Sequence, residues 1–398
     1  MVNPPRSADR LSAPAEPVTG QGPSFARISL GRIFQAESAN YIMLLGVTLF
    51  MVVFGLVMVL SSSSVDSYLD SDDFFSRFWR QGAYALVGVP LMLLVSRLPA
   101  GFWKRFAIPM LILTSLVQVL VLVTNLGVTI GDNRNWIKIG SVTGQPSEAI
   151  KIALVVWMGV LIAKKRDHLD DWRHVFLPVV VFAGIAILPV AIGGDLGTTV
   201  IMAMIVLGAL FFAGVPIRFL IVATMLGAGL AIVKAMSSQS RMSRVQAFFE
   251  GHTSTASDGW QMQHGFFALA SGGVFGVGLG NSKAKWSWLP AADNDFIFAI
   301  IGEELGLIGA IMVLGLFVLL ALTFLRIIHA SNDPFQRGTT SAVMVWMIGQ
   351  ALVNIGVVLG LIPVLGVPLP LISSGGTALV SSLIAIGIVL SFARARVK

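Results

Sequence analysis

The run YIMLLGVTLFMVVFGLVMVL at 41–60 contains no charged residue, and similar runs recur to the end of the chain. No other feature restricts the fold as much. A hydrocarbon core about 30 Å thick is crossed by about 20 helical residues. Backbone groups in lipid have no water to bond, so a crossing segment must be a helix or a strand of a closed barrel. Unbroken apolarity, without alternation, selects the helix. Composition agrees: 56% of residues are hydrophobic and 12% charged, against roughly 25% charged in a soluble domain. Ten spans are predicted, at 41–60, 81–98, 107–125, 149–164, 175–192, 197–214, 216–234, 295–325, 340–361 and 375–393.

The charges orient these spans. With the N-terminus inside, most of the lysines and arginines fall on the cytoplasmic side, among them Lys164, Lys165 and Arg166 in one short loop and Arg394, Arg396 and Lys398 in the tail. Ten spans return the C-terminus to the same side. The expected fold is thus an all-α polytopic membrane protein of about ten transmembrane helices. Both termini are cytoplasmic, and a long extracytoplasmic loop joins helices seven and eight. The net charge of +7 speaks of topology and anionic lipid before nucleic acid. Residues 1–37, rich in Pro, Ser and Ala, read as a disordered cytoplasmic tail, and 38–398 as the transmembrane domain, with 235–294 its large loop.

Several kinds of chemistry are excluded or unsupported. The chain has no cysteine, so it has neither disulfides nor thiol catalysis. Its five histidines are scattered without metal spacing. The glycines of SGGVFGVGLG (271–280) lack the βαβ setting of a dinucleotide site. RMSRVQAFFE (241–250) reads as a short interfacial helix.

Four acids stand in LPAADNDFIFAIIGEELG (289–306). Asp293 or Asn294 is expected near the N-cap of the eighth span and Asp295 in its first turn, with Glu303 about 12 Å deeper. Carboxylates facing lipid are costly, so both Glu303 and Glu304 should face protein or a wet cavity. Glu148 and Lys151 are three apart at a helix opening, which suits an ion pair. Arg134, Lys138, Arg241, Arg244, Lys283 and Lys285 fall on the same side as Asp295. An outward cavity with one carboxylate and several cations suits an amphiphile with an anionic head, and equally a proton-coupled carrier.

In order along the chain come QPSEAIK (145–151), DLGTT (195–199), GLGNSKAKWSWLP (278–290), DFIFAIIGEELG (295–306), NIGVVLGLIP (354–363) and PLPLISSGG (368–376). This series resembles the SEDS family of bacterial peptidoglycan polymerases, which includes FtsW, RodA and SpoVE, and GLGNS followed by Lys285 is similar to its FtsW branch. Departures exist: Ala291 where the family usually has an acid, Gly193-Gly194 where it has Gln-Pro, Ser374 where it has Tyr, and Asn135 splitting its Arg-Trp pair. The resemblance implies inverting glycosyl transfer on the outer face of the cytoplasmic membrane. Lipid II would be polymerised for the division septum, with Asp295 as general base. The candidate substrate-binding set is Lys151, Glu148, Lys285, Arg134, Arg241, Arg244, Gln261 and Ser373. The resemblance also implies a class B penicillin-binding protein and other division proteins as partners. No firm cofactor is implied, although a divalent cation (Mg or Mn) at the pyrophosphate is compatible with the chemistry. Two rival readings remain open: a transporter flipping lipid II, and a non-catalytic scaffold of the division machinery.

Overall fold

The computed structural model describes residues 38–394 except 131, 132, 141, 237, 238, 251–256, 287, 288, 290 and 291. The expected tail at 1–37 and the departure at Ala291 lie outside the described residues. Ten of the described helices are long and apolar enough to cross a membrane. They are α1 (Ala39–Ser71), α2 (Ser76–Val95), α3 (Ala100–Val123), α4 (Pro146–Lys165), α5 (Trp172–Ile192), α6 (Leu196–Ala213), α7 (Ile217–Met236), α10 (Ile297–Ala330), α11 (Pro334–Val358) and α12 (Gly376–Ala393).

Burial sorts them. On α4 every residue from Ser147 to Ile162 except Ala149 is buried, so this helix lies inside the bundle. On α7 only Leu220 is buried, and Met225, Leu226 and Leu230 are exposed apolar side chains. Such a surface is tolerated only against lipid, where an apolar side chain loses nothing by leaving water.

The structure adds two features to the helical expectation. Between α3 and α4 a three-stranded antiparallel sheet forms, β1 (Gly127–Ile130), β2 (Asn133–Ile139) and β3 (Val142–Gly144), in the order β1-β2-β3. Gly127 pairs with Ile137, and Lys138 with Thr143. A polar connection outside the spans is free to pair its backbone between strands, which span-directed reading does not register. The segment between α7 and α10 carries α8 (Gln239–Glu250), over the expected interfacial helix, and α9 (Ser257–Ser271).

A correction concerns the start of α10. The helix begins at Ile297 with Phe296 at its N-cap and no side-chain cap bond, so Asp295 precedes the helix instead of occupying its first turn. α10 then breaks at Gly306, whose φ of 68° and ψ of −163° lie in a region open essentially to glycine alone. Residues 272–278 pack into the break. Val277 N–H donates to the Glu303 carbonyl (2.9 Å), Gly278 N–H to that of Glu304 (3.0 Å), and Leu307 N–H to that of Gly273 (2.9 Å). Broken backbone is thus satisfied by protein, as a membrane requires. A Cβ on residue 306 would stand 2.4 Å from Gly276 N and 2.5 Å from the Val274 carbonyl oxygen. Gly306→Ala is therefore expected to cost about 1–3 kcal/mol in backbone strain alone, read as a lowered Tm of the detergent-purified protein. An unchanged Tm would show that the break can relax.

The same break gives Glu303 and Glu304 their partners. Glu303 accepts from the Ser282 hydroxyl and from the N–H groups of Lys283 (2.9 Å) and Ala284 (3.3 Å). Glu304 accepts from Ser61 Oγ at 2.7 and 2.6 Å and lies 3.8 Å from Lys285 Nζ. Both carboxylates face protein and pin the 278–285 loop onto α1 and α10.

Candidate functional site

Two cavities lie side by side at the end of the bundle that carries the sheet. The first, about 230 Å³, is walled by Arg80 and Tyr84 of α2, Trp136 of β2, Glu148 and Lys151 of α4, Asp195, Gln350 of α11, and the 366–368 and 374–378 segments. The second, about 290 Å³, is walled by Ala231 and Ile232 of α7, Arg241 and Arg244 of α8, Asp195 and residues 363–365. Asn133 and Asp195 belong to both walls.

Glu148 and Lys151 do form the i,i+3 pair, at 2.8 Å and with side chains 6% and 3% exposed. Neither charge is left otherwise bare. Ser381 Oγ donates to Glu148 (2.6 Å), Lys151 Nζ donates to Gln350 (3.3 Å), and the ammonium stands 4.7 Å from the centre of the Trp346 ring. Such multiple partners are what a buried ion pair needs if desolvation is not to outweigh attraction.

Asp195 caps α6. Its carboxylate accepts from Thr198 N–H (2.9 Å), Thr198 Oγ1 (2.8 Å) and Gln145 Nε2 (2.5 Å). Burial raises its pKa above the usual carboxylate range, against the opposing Thr198 bonds and the field of Lys151. DLGTT was legible as a motif, but Asp195 was not among the predicted site residues. The available signal was an acid directly before an apolar helix.

Asp295 is half-buried and adjoins the first cavity. Its Oδ2 is 3.5 Å from where a side chain on Gly366 would begin, and Gly366 walls the first cavity. Its Oδ1 is buried without a hydrogen-bond partner among the described residues. Burial pushes its pKa up to about 7, with Arg244 opposing the rise and Asp293 and Asp195 adding to it. The backbone around it is firmly held. Asn354 Nδ2 donates to the carbonyls of Asp295 and Val367 (both 2.8 Å), Ser373 Oγ donates to that of Asn294 (2.6 Å), and Ser374 N–H to that of Asp293 (2.8 Å). Asp293 also pairs with Arg77 at 3.2 Å, and Arg77 with Asp66 at 3.2 Å. Oδ1 of the carboxylate is thus unengaged among the described residues while its main chain is fixed.

The remaining predicted residues divide. Arg241 and Arg244 face the second cavity, with Arg241 also donating to the Gly194 carbonyl (3.0 Å). Ser373 is buried and engaged in holding the 369–373 turn and Asn294. Lys285 belongs to the Glu304 cluster and donates to the Gly280 carbonyl. Arg134 donates to the Thr124 carbonyl (3.0 Å), and Gln261 lies on α9. None of Lys285, Arg134 and Gln261 walls either cavity. Arg80 was not predicted. It walls the first cavity and makes no hydrogen bond or ion pair among the described residues. No three His, Cys, Asp or Glu side chains converge as a metal site among the described residues.

Ten apolar helices around a charged, partly enclosed cavity define a multi-pass membrane protein with a polar site at one end of its spans. The chain belongs to the cell cycle protein family of FtsW, RodA and SpoVE, whose model matches residues 41–398. A relative from Mycobacterium tuberculosis, named probable peptidoglycan glycosyltransferase FtsW, is 39% identical over 390 residues, covering 96% of this chain and 74% of the relative. Stage V sporulation protein E of Bacillus subtilis is 31% identical over 353 residues, covering 89% of this chain and 96% of its own. Among solved structures, the fold matches a chain of a peptidoglycan synthase complex with a TM-score of 0.71 at 24% identity, covering 88% of this chain and 96% of that one. It matches RodA of Thermus thermophilus with a TM-score of 0.64 at 24% identity, covering 91% and 98%.

Proposed function

We propose that this chain is a peptidoglycan glycosyltransferase that polymerises lipid II into glycan strands for the division septum, by inverting transfer. The observation that carries the reading is the Asp295 carboxyl, raised to about 7 by burial and lacking a partner on Oδ1 among the described residues, beside the cavity that Lys151 lines and within the field of Arg244 on the wall of the second. The family membership and the naming of the FtsW relatives support it.

A sugar hydroxyl is a weak nucleophile. Asp295 takes its proton as the oxygen bonds to the anomeric carbon of the growing strand. Undecaprenyl pyrophosphate leaves with the electron pair of the broken bond. One displacement inverts the carbon and needs no covalent enzyme intermediate. A base whose pKa lies near the working pH combines a usable ionised fraction with proton affinity. The leaving pyrophosphate gains charge in the transition state, and fixed cations stabilise it there. Arg241, Arg244 and Lys151 are the cations placed for this. A magnesium or manganese ion entering with the pyrophosphate would find an oxygen ligand in Asp295, whose unpartnered Oδ1 fits one such bond, and would neutralise charge on the leaving phosphates.

The test is polymerisation of lipid II by the purified protein with its cognate class B penicillin-binding protein in detergent, where flipping has no meaning. Glycan strands on a gel support the reading. Their absence, together with lipid II transfer across vesicles, would favour the transporter.

In this reading the cavities open to the extracytoplasmic side of the bacterial cytoplasmic membrane, at the septum. The chain has no native cysteine, so single substitutions report cleanly. Exposed Asn281, beside the cavity end, and exposed Asn332, in the turn before α11, lie on opposite sides. Asn281→Cys is expected to react with an impermeant thiol reagent added to intact cells and Asn332→Cys to stay silent. The reverse pattern would invert the topology.

A further inference from the structure

Arg77, Arg80, Gln81 and Tyr84 stand three and four residues apart in α2, so they share one face of that helix. Arg80, Gln81 and Tyr84 wall the first cavity. Arg77 walls neither cavity and reaches instead to the segment that carries Asp295. We propose that Arg77, acting through Asp293, is a positioning residue for Asp295 and holds its carboxyl in register with the cavity wall that α2 itself supplies. The proposal rests on the polymerase reading and adds to it a residue that touches neither the substrate nor the reacting atoms.

Asp295 needs a hold from outside its own element. It stands before α10, whose first turn has no side-chain cap, so helical geometry does not set its place. The bonds to the carbonyls of residues 293–295 come from Asn354, Ser373 and Ser374, all in the last part of the chain. Arg77 adds a hold from α2. Its Nη1 stands 3.2 Å from Asp293 Oδ1 and 3.2 Å from Asp66 Oδ2 of α1. One nitrogen thus gathers two carboxylates. The Asp293 side chain is 8% exposed, and a carboxylate so far out of water is costly without a cation beside it. Asp293 is two residues from Asp295, so a backbone turn at 293 carries the Asp295 carboxyl with it. A direct role for Asp293 on the substrate would require it to face a cavity. It walls neither, whereas its neighbour Asn294 walls the first.

α2 is a rigid base for this contact. Gln81, one turn on from Arg77, donates through Nε2 to the Ser373 carbonyl (3.1 Å) and accepts at Oε1 from Gly375 N–H (3.3 Å). Ser373 and Ser374 in turn hold the carbonyls of Asn294 and Asp293. One helix face therefore reaches the 293–294 segment by two routes, directly through Arg77 and indirectly through the 373–375 turn. Farther along, α2 lies close against α12. A Cβ on Gly387 would stand 2.6 Å from the Met92 carbonyl oxygen, and one on Gly88 2.7 Å from Leu383 Cδ1. Helices in such close contact have little room to shift. Arg80 walls the first cavity from the same stretch of α2, so the general base and this cation are referred to one rigid element. The rate depends on that register, because a misplacement of about 1 Å costs about 10²-fold.

The experiment measures kcat and KM for lipid II with the purified protein and its partner, on the plateau of the pH profile so that ionisation of Asp295 does not enter. Asp293→Asn keeps the shape of the side chain and removes the charge that Arg77 holds. It is expected to lower kcat by about ten- to a hundredfold with KM within about twofold of wild type. Arg77→Gln is expected to do the same, and the double variant to fall no further than the worse single, because one contact can be lost only once. Arg77→Lys is expected to lie between wild type and Arg77→Gln, since a single nitrogen makes both contacts and an ammonium supplies three donors. Lys104→Gln breaks another ion pair, with Asp333 in the turn before α11 (2.8 Å), and is expected to leave kcat unchanged. A wild-type kcat in a folded Asp293→Asn protein would overturn the proposal and leave the polymerase reading intact. A loss carried by KM alone would also overturn it and place Asp293 on the substrate. Additive losses in the double variant, or equal losses in Arg77→Lys and Arg77→Gln, would overturn it as well. If the wild-type protein makes no strands, the polymerase reading itself fails.

Discussion

Asp295→Asn is expected to lose polymerisation by about 10²–10⁴-fold while the protein still folds. Asn preserves the shape of the side chain and cannot take a proton. The main-chain bonds that fix this segment, from Asn354, Ser373 and Ser374, do not involve the carboxylate, so they survive the change. Strands of wild-type length and rate from the purified variant would remove Asp295 from the base role.

The raised pKa adds two measurable consequences. In the wild type, kcat/KM should rise with pH through about 7 as Asp295 ionises. Arg244 opposes the rise in pKa, so Arg244→Gln should move this limb to higher pH. Stability runs the other way. The folded carboxyl binds its proton more tightly than the unfolded one, so folding loses stability as pH rises between about 4 and about 7. Asn has no such loss. Asp295→Asn should therefore be the more stable protein at pH 8, by an amount on the order of a few kcal/mol, and about equal to wild type at pH 4. Thermal unfolding in detergent at the two pH values reads this directly. A variant destabilised at pH 8 would contradict the burial argument.

The Glu148–Lys151 pair gives the second large effect. Glu148→Ala strands an ammonium beside Gln350 and Trp346, and Lys151→Ala strands a carboxylate beside Ser381. With both side chains nearly fully buried, each single change should cost about 3–5 kcal/mol. Replacing both, as Glu148→Gln with Lys151→Met, removes the uncompensated charge and should restore most of the Tm. Activity should stay lost, because a cation is then missing from the wall that faces the substrate. Restored stability with restored polymerisation would make the pair purely structural.

Residue by residue, the legible part of the site was the part set by local spacing. Glu148 and Lys151 meet because residues three apart on a helix are neighbours, and that follows from the sequence alone. The grouping of Arg241 and Arg244 is local in the same way. Asp295 was identified from its motif, but the expected helical geometry around it was not found. The helix starts two residues later, and its backbone is fixed by Asn354, 59 residues away in sequence, with Ser373 and Ser374 holding the two residues before it. Lys285 is a different case. Charge and side of the membrane nominated it for substrate, and the structure puts it 3.8 Å from Glu304 and on the wall of neither cavity, a pairing its own sequence neighbourhood does not announce.

By itself the sequence determined that the chain crosses a membrane as helices, about how many times, and where most spans lie. The reason is that apolarity over about 20 residues is a one-dimensional property, and lipid leaves the backbone no other open-chain solution. Only the tertiary structure decided which carboxylates are engaged and which is free. Glu303, Glu304 and Asp195 are held by Ser282, Ser61, Lys285, Thr198 and Gln145, whereas Asp295 Oδ1 is left without a partner among the described residues, beside the first cavity. Most of those partners come from distant segments, and their meeting depends on how the helices pack and where α10 breaks. The free energy of a buried carboxylate is set by those neighbours and by how much water they exclude, and neither is encoded in its immediate sequence.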